Sequence, residues 1–170
     1  MTPREFVLRY ATRSLSGAPE AESLVTDPGF RVALYREIHS DESVDARVLL
    51  RELLDKEIDY RRDSWEKPID PDEPDYFENI YWCGFLLYRC GDPQDALQIW
   101  RAKNLNMDTS CGTDAQSLVG GGVEETIQYL RDQPGGEAKE AIEYVLMCKS
   151  SGEFHDLKGW FQWRDSYYKA

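Results

Sequence analysis

Few residues of this chain are of a type that does nucleophilic or metal chemistry: Cys83, Cys90, Cys111, Cys148, His39 and His155. Cys111 lies between Asp108 and Asp114, and folding could bring His155 beside it. A cysteine–histidine pair makes a thiolate nucleophile when the two are within hydrogen-bond reach, usually in an electropositive setting. Neither condition is visible in the sequence. His39 stands beside Asp41 and Glu42 at a predicted helix C-terminus, where a cation is favourable for structural reasons alone. Cys83 and Cys90 fall seven residues apart among aliphatic residues and read as small core thiols. A zinc site wants close cysteine or histidine pairs, and none is present, so the expectation is no metal, no cofactor and no enzyme. Gly120-Gly121-Gly122 is not a phosphate cradle: no strand precedes it, no Lys-Ser/Thr follows, and Glu124 and Glu125 place negative charge where an anion would sit. It reads as a turn between helices.

The residues that suit recognition are easier to find. RRDSWEKPIDPDEPD, from Arg61 to Asp75, has three prolines and a crowd of acids, and it also holds Trp65 and Ile69. Such a segment buries too little apolar surface to order itself as a helix. It is either a connection with Trp65 folded back on the core or a docking loop in which Trp65, Asp70, Asp72, Glu73 and Asp75 meet a partner. The tail EFHDLKGWFQWRDSYYKA is a predicted final helix with aromatics on more than one side. Leu157, Trp160 and Phe161 share a face while Trp163 and Tyr168 point elsewhere, so packing, a dimer contact or a partner must cover the rest. Trp160 and Trp163 complete the predicted binding set.

These residues are positioned by an all-α chain, since every long patterned segment has the helical step and none alternates like a strand. We expect about seven to nine helices in one domain, because a chain of 170 residues supports one substantial core. Its parts are N-terminal helices over 1–60, the acidic Pro-rich loop over 61–75, and a hairpin with C-terminal helices over 76–170. Thr2-Pro3-Arg4-Glu5 is a capping box opening a helix to Leu15. Glu20 to Val25 is a short turn, Asp27-Pro28 opens a second helix, and Val44 to Tyr60 is amphipathic. The densest pattern runs from Tyr76 to Leu105, where Gly91-Asp92-Pro93 stops one helix and starts the next. Residues 104–114 read as a loop, in which Thr113 or Asp114 caps a short helix to Val119, then come Val123 to Arg131 and Glu137 to Lys149.

That hairpin partly resembles a tetratricopeptide repeat. Gly84, Gly91, Ala96 and Trp100 match at the right offsets, with Trp100 expected to fill the space opposite Gly84. The family's early Trp and Leu fall on Ile80 and Cys83 and its closing Pro on Asp108. Gly136, Ala141 and Val145 repeat the spacing of Gly91, Ala96 and Trp100, and the resemblance implies a peptide-binding adaptor.

The formal net charge of −12 argues against nucleic acid, whose phosphates want Lys and Arg, and favours a basic protein partner. No apolar run approaches the ~20 residues that span a bilayer, and MTPREFVLRY lacks a secretory pattern, so a cytoplasmic protein without membrane contact is expected. In size, charge and helical make-up the chain resembles the immunity proteins of bacterial polymorphic toxin systems, which cover the active site of a cognate toxin. That resemblance implies a toxin with a basic surface as partner. A tetratricopeptide-like adaptor is the second reading and a thiol-dependent enzyme the third.

Overall fold

The computed structural model describes residues 1–12, 18–64 and 74–169. All the regular structure among them is helical: α1 Pro3–Ala11, α2 Pro19–Thr26, α3 Pro28–Ser40, α4 Arg47–Ser64, α5 Asn79–Cys90, α6 Ala96–Lys103, α7 Met107–Gly112, α8 Val123–Asp132, α9 Gly136–Ser151 and α10 Leu157–Lys169. Short 3-10 helices cover Pro93–Asp95 and Ala115–Val119. The chain divides into two compact units, Met1–Leu86 and Leu87–Ala170, and the division falls inside α5.

In the first unit α1 and α2 both pack on α3 and α4. The Thr2 capping box forms, with Glu5 N–H donating to Thr2 Oγ1 at 3.2 Å and Thr2 N–H to Glu5 Oε2 at 2.9 Å. The helix it opens closes at Ala11, short of Leu15, which lies outside the described residues. Phe6, Leu34, Leu49, Leu50, Leu53 and Leu54 are buried, each worth roughly 1.5–3 kcal/mol of transfer from water. Glu20 to Val25 belongs to a full helix, α2, because Pro19 occupies its first turn and Ala21 and Val25 bury one face. A polar knot ties α2, α3 and α4 together. Arg31 donates to both Glu57 oxygens at 2.6 and 3.0 Å and to the Val25 and Thr26 carbonyls at 2.9 and 3.0 Å. Tyr35 donates to the same carboxylate at 2.7 Å, and burial pushes its hydroxyl well above the usual tyrosine range.

α4 starts at Arg47 and runs on through Ser64, so Arg61 to Ser64 are helical and the predicted loop loses its first residues. The cause is at the helix end, where Arg61 lies 4.4 Å from the Phe77 ring centroid and Ser64 Oγ donates to the Tyr60 carbonyl.

In the second unit α8 packs on α9, and α6 meets α7, α8, α9 and the 3-10 helix at Ala115–Val119. The Gly91-Asp92-Pro93 turn forms as expected: Gly91 has φ 68°, and Asp92 Oδ1 accepts the Gln94 N–H at 3.0 Å. The glycine triplet serves close approach. A Cβ on Gly120 would stand 2.5 Å from the Tyr88 carbonyl oxygen, and one on Gly121 2.4 Å from Pro93 N. Trp100 is buried, but its ring neighbour is Tyr144 at 5.2 Å, while a Cβ at Gly84 would meet nothing within 4 Å. Within its own unit Trp100 packs against α9 through Tyr144. α7 takes the place of the predicted loop, because Asn106 and Thr109 close a reciprocal capping box.

Candidate interaction surface on the C-terminal helix

α9 ends at Gly152, whose φ of 88° is the left-handed stop that glycine allows. Gln116 Nε2 then donates to the Glu153 carbonyl at 2.8 Å, fixing the connection that delivers α10. Asp156 opens that helix by accepting the Gly159 N–H at 2.8 Å. No residue of α10 is fully buried, although it carries Leu157, Trp160, Phe161, Trp163, Tyr167 and Tyr168.

Two aromatic sets on α10 have different surroundings. Trp160 faces the unit: its ring lies 4.8 Å from Tyr88, edge to face, and its Nε1–H donates to Asp114 Oδ2 at 2.9 Å. Phe161 lies 6.2 Å from the same Tyr88 ring. Burial raises the Tyr88 hydroxyl above its ordinary value. Trp163 and Tyr167, one turn apart, face water with 56% and 46% of their surfaces exposed. Between the sets stands Arg164, which donates from Nε at 2.7 Å and pairs through Nη2 at 2.6 Å with Asp114 Oδ2. Its guanidinium carbon lies 4.6 Å from the Trp163 ring centroid and 5.9 Å from that of Tyr167. Tyr167 and Tyr168 meet edge to face at 5.2 Å. Trp, Tyr and Arg are the side chains that most often dominate binding energy at protein interfaces.

Comparison with protein-family models, curated proteins and solved structures returned no match.

Of the other predicted binding residues, Trp65, Asp70, Asp72 and Glu73 lie outside the described residues. Asp75 is exposed, and its Oδ1 accepts the Phe77 N–H at 2.8 Å, a local turn at the approach to α5. The predicted chemical sets fall as follows. Cys111 and His155 are both exposed, and no hydrogen bond joins them. Asp114, placed with them in the sequence, instead serves α10. His39 is buried with Nδ1 accepting the Trp82 indole N–H at 3.3 Å, while Asp41 turns to Ser43. All four cysteines are free thiols, and buried Cys83 donates to the Leu50 carbonyl at 3.3 Å. Among the described residues no cluster of three His, Cys, Asp or Glu side chains could hold a metal ion. No helix among them is long and apolar enough to cross a membrane.

Lys103, like Arg31, is a buried cation that sequence reasoning missed. Lys103 donates to the Ser110 carbonyl and, at 2.8 Å, to the Thr113 carbonyl, with its ammonium 5.3 Å from the Tyr144 ring centroid. Burial pulls the ammonium below the usual lysine range. Its role is to close the C-terminal end of α7. The available signal was its place four residues after Ile99, on the buried stripe of α6.

Proposed function

We propose that this chain is a stoichiometric protein-binding protein, an immunity protein that neutralises a cognate bacterial toxin by covering its active site with a surface that includes α10. The observation that carries the reading is the exposed Trp163, Arg164 and Tyr167 group on a helix tied to its unit by Asp114. Large exposed aromatics on an ordered element are the usual anchors of a protein interface, since they offer much contact area for little lost freedom. The net charge of −12 supports a basic partner by steering its approach over longer distances than contacts reach.

Coexpression supplies the test. The chain should relieve growth inhibition caused by the toxin-domain protein encoded beside its own gene, and the two should copurify in equal amounts. A Trp163→Ala/Tyr167→Ala variant should lose protection while keeping its helical circular dichroism. Full protection by that variant would remove α10 from the interface, and failure of the native chain to protect would remove the immunity reading.

A further inference from the structure

Three donors converge on one oxygen, Asp114 Oδ2: the Trp160 indole N–H at 2.9 Å and the Arg164 Nε and Nη2 groups at 2.7 and 2.6 Å. The carboxylate and guanidinium side chains are 27% and 14% exposed, so water screens them only in part. An arginine gripped at Nε and Nη2 has its guanidinium held in place, and its central carbon then stands 4.6 Å from the Trp163 ring centroid and 5.9 Å from that of Tyr167. Through one carboxylate, then, the inner indole is anchored and the outer rings are given a wall to stand against.

The arrangement also biases what the outer rings accept. An aromatic face attracts a cation through its negative quadrupole. Arg164 already supplies a cation to one face of Trp163, so a second one on the far side meets a weakened attraction. Apolar side chains carry no such penalty.

We propose that Asp114 is the positioning residue of the α10 surface: by holding Arg164 over Trp163 it orders the surface before a partner arrives and leaves a face suited to an apolar side chain. The choice of partner side chain rests on α10 being the binding surface. The ordering is a property of the free chain.

Indole N–H relaxation by NMR on the full free chain reads the ordering directly. In the native chain Trp163 should be nearly as rigid as the backbone, with an order parameter of about 0.85, where a free side chain falls below about 0.6. Arg164→Lys keeps a cation for Asp114 and removes the flat face; it should release Trp163 toward the lower value while Trp160 stays ordered and the melting temperature moves little. Asp114→Asn should loosen both indoles. A Trp163 already mobile in the native chain, or equally rigid in Arg164→Lys, overturns the proposal. For the apolar face the probes are choline and its neutral isostere with carbon in place of the quaternary nitrogen. The neutral probe should move the Trp163 indole resonance farther; choline moving it as far or farther overturns the apolar assignment. A rigid Trp163 in a chain that protects against no toxin would leave the ordering intact and sink the immunity reading, and a mobile Trp163 in a protecting chain would do the reverse.

Discussion

A glycine at an ordinary φ is informative through what stands where its Cβ would be. At Gly121 that place is 2.4 Å from Pro93 N, backbone that cannot step aside without moving the α5–α6 turn. At Gly84, inside α5 and buried, nothing lies within 4 Å. Gly121→Ala is therefore expected to lower stability by about 1–3 kcal/mol through overpacking. Gly84→Ala is expected to raise it by about 0.5–1 kcal/mol, because alanine fits the helix and has less freedom to lose. Urea midpoints check both, and a drop at Gly84 would mean the surroundings close over that position. Trp100 belongs to the same scale: with its ring buried against Tyr144, Trp100→Ala should cost roughly 3–5 kcal/mol. An unchanged midpoint would show that the α6–α9 contact contributes little.

Between elements, the buried polar knot is the joint most sensitive to a single change. Glu57 is fully buried and takes two bonds from Arg31 and one from Tyr35, so removing the cation strands a carboxylate away from water. Arg31→Met is expected to cost about 3–5 kcal/mol, and a double variant with Glu57→Gln should recover part of that loss. A double-mutant cycle measures the coupling; additive losses would show that α2, α3 and α4 are held by apolar packing alone. α10 presents the contrasting case, an element with no fully buried residue, attached through Trp160, Phe161 and the Asp114 bonds. Low local stability of that kind is compatible with binding, since the rest of the unit does not depend on α10 for its core.

Over the whole molecule, burial acts on several tyrosines in one direction. Tyr35, Tyr60, Tyr88 and Tyr144 are all raised above the reference value of 10.0, in each case first by burial. The folded chain keeps these protons after the unfolded chain has lost them. Above the reference value the unfolded state thus binds fewer protons, and stability must fall as pH rises. Denaturation midpoints should decline as pH rises past 10.0, with Tyr35→Phe showing a shallower decline. A decline of the same steepness in Tyr35→Phe would assign the effect to the other tyrosines. Charge acts at this scale too. Replacing Asp70, Asp72 and Glu73 by Asn and Gln should slow association with a basic partner and flatten its salt dependence, as for groups that steer rather than clamp. Stopped-flow association at low salt checks this, and wild-type rates would leave α10 as the better-supported contact.

The helical class, the Thr2 and Asp27 caps and the Gly91-Asp92-Pro93 turn could be read from the sequence because each is decided within a few residues by backbone geometry and local hydrogen bonds. The same reasoning stopped α1 too late and α4 too early, and read α2 as a turn and α7 as a loop. The end of α4 is settled by Phe77 beside Arg61, and α2 by the faces of α3 and α4 it packs on, while α7 rests on its own Asn106–Thr109 capping box and on Lys103 at its far end. Helical spacing already put Trp160 and Trp163 on different faces of the tail, and only the fold decides which of the two is covered. One indole is tied to Asp114, 46 residues earlier, while the other is left in water beneath Arg164. Spacing along a helix fixes which residues share a face, but which face is covered depends on elements that the chain brings together only when it folds.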